Sequence, residues 1–524
     1  MGFFSFVRSL WNTPPRHSVK HRTVQRKRKF EAAQRGRNFG NWMTTGNSAN
    51  ADIWTALTTI RNRSRDLLRN NDYARGAIGK YVDNVVYQGI TFQSQVKQLK
   101  DKTKADDRAN TLIETEFNNW ASEPKWCHTA GKLDFNGIQQ LVFRSCLESG
   151  EVFIRKVKQS FSNSPVPYAL EIIEADQLAE DHNSSFAGNR IVMGVEVNEW
   201  QRPVAYWFYK EHPGELFQGR GGAVSRDLQR IPASEIIHLH ITERPNQLRG
   251  LPVLYSAIIR LKNIGDYEGA EQLAAKLAAC VMAIITSPYN DLLGEHKEGV
   301  EAEIPADEKF EPGVMRTLSP GEDFKAFDPQ RPNANLVAFM EHQLRAMGAG
   351  IGQSYESVSN DYSKTNYSSS RLSLINARDR YKILQVWFSV YFLREVIYGN
   401  CEDDGWLDMA VMVGVLNFPD YEIRKSRYCA VKWQYRGWSW IDPLKEVKAR
   451  VESLINNMST MTDHYSEQGL DFEESMRTIA REREFAKSLG IDLNFEMSPY
   501  NPKDDEEDKP QGNSEGDDSK AIAL

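Results

Sequence analysis

Apolar positions recur at three-and-four spacing from Asp52 onward. Ile53, Leu57 and Ile60, then Leu67, Leu68, Ala74, Ile78, Val82 and Val85, predict helices up to Gly89. Asn70-Asn71 breaks the run, and Gly89 stands where a left-handed C-terminal cap belongs. FNGIQQLVFRSCLES, introduced by Asp134 and stopped by Gly150, predicts another helix, with EVFIRKV as the strand after it. The period then drops to two. YALEIIEADQL, IVMGVEVNEW and PVAYWFYKE alternate apolar and polar positions around turn signals at Asn198-Glu199 and Arg202-Pro203, and IPASEIIHLHI predicts one more strand. Residues from about 50 to 245 therefore read as an α+β body.

The helical period returns at Leu251 and runs to Ile285, interrupted weakly by Gly265 and Gly269. At ~1.5 Å per residue that helix would extend roughly 50 Å, more than a compact core needs. After it, GVMRTLSPGEDFKAF predicts strand, turn and strand, and NANLVAFMEHQLRAMGAGI predicts a helix ending at Ile351. Two long helices joined by a small β-containing excursion make a stalk with a cap on its end. A polar stretch, Asn360 to Tyr367, follows, and Ser368 to Ser370 offer N-cap chemistry for the long helix SSRLSLINARDRYKILQVWFSVYFLREVIYG. Towards the carboxyl end, Asp442 caps a helix whose first residue is Pro443. Asp471, with Glu474 in the capping-box position, opens a last helix that Gly490 terminates.

Composition narrows the class. A chain of 524 residues, 40% hydrophobic and 26% charged, is globular and too long for one ordinary core. Its five scattered cysteines include no CxxC pair, which disfavours a zinc ribbon or a disulfide framework and fits a reducing compartment. The longest apolar run, Leu277 to Ile285, falls far short of the ~20 residues that cross a bilayer. Phe6 stands where an N-terminal acylation motif requires Ser or Thr.

A net charge of −6 conceals a strong asymmetry. Met1 to Gly40 is a basic arm that includes Arg22, Arg26, Lys27, Arg28 and Lys29, with Glu31 as its one acid. The tail NPKDDEEDKPQGNSEGDDSK is acidic, and its composition predicts disorder. Asp291 to Glu308 carries Glu295, Glu298, Glu301, Glu303, Asp307 and Glu308. Such segregation suits work beside a polyanion without the whole surface adhering to it. For the arm, phosphate contact and docking to a protein both remain open.

Three candidate chemistries weaken on inspection. The Ser/Lys/Asp-rich stretch around Asp361 has no base and no strand-to-helix nucleophile turn, so it reads as a loop and a cap. His238 and His240 alternate on a strand and so share one face, but beyond nearby Glu243 no further ligand is evident; a structural strand is the simpler reading. Glu446 to Lys448 would have to lie on a strand to resemble a metal nuclease, and Pro443 predicts a helix instead. No phosphate-binding glycine loop is present, so energy for moving a polymer would come from elsewhere. No cofactor and no metal is expected.

Several phrases, taken in order, resemble the portal proteins of lambda-like bacteriophages: RSRDLLRNNDYARGAI, LESGEVFI, LEIIEADQL, GVEVNEWQRPVAYWFYKEHPGE, IPASEIIHLHITERPNQLRGLPVLYSAIIRLKNIGDYEGAEQLAAKLAA, LSPGEDF, SNDYSKTNYSSSRLSLIN and WIDPLKEVKARVESLINN. They span roughly Ile53 to Gly490, leaving the basic arm and acidic tail outside. The resemblance implies an α+β, ring-forming, non-enzymatic subunit. Its parts would be an arm (1–50), a wing (51–250), a first stem helix (251–285), a clip (286–332), a second stem helix (333–352), a tunnel loop (353–368), a tunnel helix with wing return (369–440), a crown-like helical region (441–490) and a tail (491–524). It also implies a homododecamer at one capsid vertex, acting in the virion after assembly in the host cytoplasm. DNA would pass through the channel, past Asp361, Tyr362, Ser363, Lys364, Thr365 and Asn366. The acidic clip would dock terminase and later head-completion or tail proteins, and capsid and scaffold proteins would surround the ring. The residues alone also admit a nucleic-acid-processing metalloenzyme centred on His238 and His240, or a DNA-binding module driven by the arm.

Overall fold

The computed structural model describes residues 46–100, 104–215, 227–279, 283–286, 323–326, 336–364, 366–399, 405–438, 443–468, 470 and 472–491. It opens with α1 (Ala49–Trp54), α2 (Leu57–Asn70) and α3 (Asp72–Val85). Asn71 ends α2 and caps α3, its side chain accepting from the Ala74 N–H at 2.9 Å, so the predicted break is a hinge between two helices. Gly89 is not the cap. The helix ends at Val85, and Gly89 serves a later turn at φ +115°, against Asn136.

Then come β1 (Thr91–Ser94), α4 (Asp107–Ser122), α5 (Pro124–Cys127), α6 (Phe135–Ser149) and β2 (Glu151–Val157). Asp134 caps α6 through the Gly137 N–H, and Gly150 closes it in the left-handed region, as its sequence signals indicate. Gly150 has a second reason to lack a side chain: a Cβ there would meet the Leu251–Pro252 backbone at 2.5–2.7 Å. The β-rich part holds β3 (Ala169–Ile173), β4 (Ser184–Phe186), β5 (Asn189–Val192), β6 (Val195–Val197), β7 (Pro203–Tyr209), β8 (Leu228–Pro232) and β9 (Ile236–His240). IPASEIIHLHI therefore divides between two strands, split by a 3₁₀ turn at Ala233–Glu235. Strands β3-β2-β9 form one antiparallel sheet and β4 to β8 a second, in chain order. Phe153, Leu178, Val195, Tyr206, Phe208 and Ile231 pack together in a satellite core.

The next helix, α7, runs Ile258–Ala279, about 33 Å rather than the expected 50 Å. At its start Pro252–Ala257 is turn backbone, and beyond its end Ala283–Thr286 is strand β10, so the apolar run from Leu277 to Ile285 is not one helix. β10 pairs antiparallel with β11 (Asp323–Ala326), Ala283 opposite Ala326. The expected first strand of GVMRTLSPGEDFKAF lies outside the described residues. So do Asp442, Asp471 and the side chain of Glu474.

α8 (Leu336–Ile351) lies beside α7, with Tyr267 and Phe339 in ring contact. After α9 (Tyr355–Ser359), α10 (Tyr367–Phe388) passes through a wide π-turn, Ser389–Leu393, into α11 (Arg394–Tyr398). Ala377, Tyr381, Leu384 and Phe388 bury one face of α10. The opposite face exposes Leu372, Ile375, Ile383 and Val386, continued by Val390 of the π-turn, an aliphatic stripe with no cover in a single subunit. α12 (Trp406–Met412), α13 (Tyr421–Tyr428) and β12 (Val431–Gln434) follow, and β12 pairs with β1, joining the body's two ends. α14 (Pro443–Ile455), α15 (Met461–Glu467) and α16 (Phe472–Ser488) complete the described chain. One main core draws on Ile78, Trp120, Phe143, Leu239, Leu261, Met347, Phe392 and Trp406, so the body and the return after α10 share an interior.

Candidate functional site

The connection from α8 to α10 is short and tightly tied. Gly352 turns the chain at φ +76°, and the hydroxyl of buried Tyr81 donates to the Ile351 carbonyl. Buried Gln353 donates from its amide side chain to the Ala77 carbonyl at 2.9 Å, anchoring the connection to α3. Its backbone passes so close to Gly348 that a Cβ there would stand 2.6 Å from the Gln353 carbonyl oxygen. Ser354 then caps α9, and Asn360 ends it with φ +54°.

From Asn360 the polar residues hold one another. Asp361 accepts from the Tyr355 hydroxyl at 2.9 Å, the Ser363 N–H at 3.0 Å and the Ser363 hydroxyl at 2.6 Å. These hydrogen bonds, those from Ser363 first, pull its carboxyl down to about 2. Lys364 reaches back to α8 and donates to Glu341, whose other oxygen takes Arg345 at 3.2 Å. The Arg345 guanidinium also covers the Tyr355 ring at 4.9 Å. Ser368 to Ser370 lie inside α10. The cap is Asn366, which accepts from the Ser369 N–H at 2.8 Å, because its extended backbone lets the side chain turn onto the first helical turn. Behind the loop, a cleft of about 320 Å³ is lined by Lys80, Asp83, Glu356, Tyr362, Arg378 and Arg436 among others. The loop is thus a braced projection of balanced charge, with Tyr362 exposed. Thr365 lies outside the described residues, as do Glu295, Glu298, Glu301, Glu303, Asp307 and Glu308, and Arg22, Arg26, Lys27, Arg28 and Lys29.

The histidines face a different structure. Alternation on β9 does put His238 and His240 on one face, with ring centroids 4.4 Å apart. His238 Nε2 donates to Glu151 Oε2 at 3.1 Å, but that carboxylate is already occupied. Arg249 forks onto it at 2.5–3.0 Å, the Gly250 N–H donates at 3.0 Å, and Arg61 approaches at 3.4 Å. Burial opposes the charge on Glu151, yet Arg249 and the His238 hydrogen bond hold it well below the ordinary carboxylate range. Arg61 continues the network to Asp176 at 3.1 Å and Glu180 at 2.5 Å. With the carboxylate committed to arginine, this cluster is a buried lock joining α2, β2, β9 and the segment before α7; it offers no free ligand oxygen to a metal. Glu243 instead accepts from the Tyr255 hydroxyl. Among the described residues, Glu174, Asp176 and His212 could together approach a cation, but Arg65 already pairs with both acids.

Sequence reasoning missed Arg61, Glu151, Arg249 and Glu341. The available signal was Arg249 within ERPNQLRG, where Asn246 takes φ +59°, the Gln247 side chain binds the Glu243 and Arg244 N–H groups, and the Leu248 N–H donates to Asn50.

Residues 35–385 match the family described as phage portal protein, lambda family. A probable portal protein of Halomonas phage phiHAP-1 is 29% identical over 512 residues, covering 94% of both chains. Portal protein B of Escherichia phage lambda is 22% identical over 500 residues, 87% of this chain and 90% of the relative. Among solved structures, a chain from the neck of a native gene transfer agent particle aligns with a TM-score of 0.43 at 13% identity, covering 78% of this chain and 93% of that one.

Proposed function

The chain belongs to the lambda family of phage portal proteins, structural components of the virion rather than enzymes, and from that membership we propose how its parts serve a portal. Twelve copies form a ring at one capsid vertex. The genome enters through its channel, driven by a terminase, and leaves through it later. The observation that carries this reading is the family match over residues 35–385, joined by a relative aligned across 94% of both chains.

In this reading α7 and α8 are the stem, and residues 286–332, with Glu295 to Glu308, are the clip that docks terminase and then head-completion or tail proteins. Residues 353–368 are the tunnel loop, whose Asp361 to Asn366 face the duplex. Support comes from the paired helices α7 and α8, from a braced polar loop where they rejoin the body, and from the aliphatic stripe on α10, which a neighbouring subunit would cover. The basic arm reaches DNA, scaffold or capsid shell. Ring symmetry repeats each contact around the channel, so strong phosphate binding at the loop would stall sliding DNA. Balanced charge in the loop fits that need.

Native mass measurement with negative-stain imaging tests the reading. A ring with a central hole is expected, with scaffold or shell added where assembly requires them. A persistent monomer in their presence would overturn it.

A further inference from the structure

We propose that Glu341 is a positioning residue that withholds Lys364 from DNA, so that each subunit meets the duplex through uncharged groups of its loop. The proposal rests on the reading of residues 353–368 as the channel-facing loop.

Lys364 is the only Lys or Arg between Gln353 and Asn366. As the loop's one cation, it would be the natural phosphate contact if it were free. In the structure the charges of Lys364 and Asp361 are both engaged on the subunit's own groups. Lys364 Nζ donates to Glu341 Oε1, and Arg345, one turn along α8, binds Oε2 at 3.2 Å. The two partners differ in exposure: the Glu341 side chain is 10% exposed and stands on a packed helix, whereas the Lys364 side chain is 60% exposed. A phosphate competing for Lys364 would strip a nearly buried carboxylate of one of its two cations. Asp361 is likewise held by Tyr355 and Ser363, and Glu356 accepts from Ser373 at 3.1 Å. The side chain of Tyr362 is exposed beside Lys364, while the exposed Ser363 hydroxyl already donates to Asp361. Hydroxyl contacts can be exchanged between successive phosphates without releasing counterions. A free lysine repeated around a ring would instead add a salt-sensitive grip at each subunit.

The test measures how purified rings bind a linear duplex as salt is varied, with rings checked by imaging. A photocrosslinker carried on Tyr362→Cys reports separately whether the loop reaches DNA. The expected results are a crosslink at that position and a steeper fall of log affinity with log salt for Glu341→Gln. The slope should increase by about 0.9 for each Lys364 that gains a phosphate. Lys364→Met alone should leave the slope unchanged, and the double variant Glu341→Gln/Lys364→Met should return it to the wild-type value. Should Glu341→Gln rings fail to form, Lys364→Met, which leaves Glu341 paired with Arg345, still tests the proposal through its unchanged slope.

If Lys364→Met by itself flattens the slope, or Glu341→Gln leaves it unchanged, while the crosslink persists, then Lys364 is not masked. That overturns the proposal and spares the loop reading. Absence of the crosslink overturns both.

Discussion

Arg249 and Glu151 lie 98 residues apart in the chain and meet in a forked contact shut off from water. Two charges so buried survive because each satisfies the other and further donors complete the carboxylate. Losing one partner strands the remaining charge, so Arg249→Met is expected to cost about 3–5 kcal/mol in a denaturant titration. The same cluster predicts acid sensitivity. Burial and neighbouring His238 push His240 from its ordinary 6.5 down to about 3, so the folded state keeps it neutral while the unfolded chain takes up a proton. Its contribution is complete above about pH 6.5 and declines as pH falls towards about 3. The contribution of Glu151, whose carboxyl is depressed when folded, is retained above its ordinary value and lost only in stronger acid. Unfolding midpoints should therefore fall between about pH 6.5 and pH 4.5, and His240→Gln should flatten that fall. None of this was legible locally: single residues of α2, β2, β9 and ERPNQLRG carry no sign that they converge.

Among elements, signals confined to one turn read well. Asn71, Asp134 and Gly150 mark helix ends because their chemistry acts within three or four residues. Periodicity was less decisive where two elements share an apolar run. Leu277 to Ile285 satisfies a helical pattern, yet the chain turns to strand there because Ala283–Thr286 finds a partner in Asp323–Ala326, beyond any local window. At Ser368 to Ser370 the cap signal was right in kind and misplaced by two residues: the helix already begins at Tyr367, so Asn366 takes the cap through the Ser369 N–H. Gly150 shows how an element boundary can depend on distant backbone. Its φ of +92° and the nearby Leu251–Pro252 backbone leave no room for a methyl group. Gly150→Ala is expected to destabilise the protein by several kcal/mol, or to prevent folding, as read by soluble yield and melting temperature. A substitution at Gly188, which also has positive φ but no atom within reach of a Cβ, should cost far less.

At the scale of the whole molecule, alternation and helical period indicated an α+β body followed by a pair of long helices, and the fold contains both. The body's closure was not foreseeable. β1 and β12 pair across more than 300 residues, and α10 and α11 enter the same interior as α4 and α6. Because that interior draws on residues either side of the paired helices α7 and α8, these helices are an outgrowth of one body and do not link two.

The antiparallel pairing of Ala283–Thr286 with Asp323–Ala326 has a consequence at this scale. Thr286 and Asp323 stand opposite each other, so the chain leaves strand β10 and enters strand β11 at neighbouring points. The number of residues between those two points can change without altering the register of the two strands. On the proposed reading of residues 286–332 as a docking clip, a lineage could thereby refit that clip to a new packaging motor or a new tail while the strand pair at its base stays unchanged.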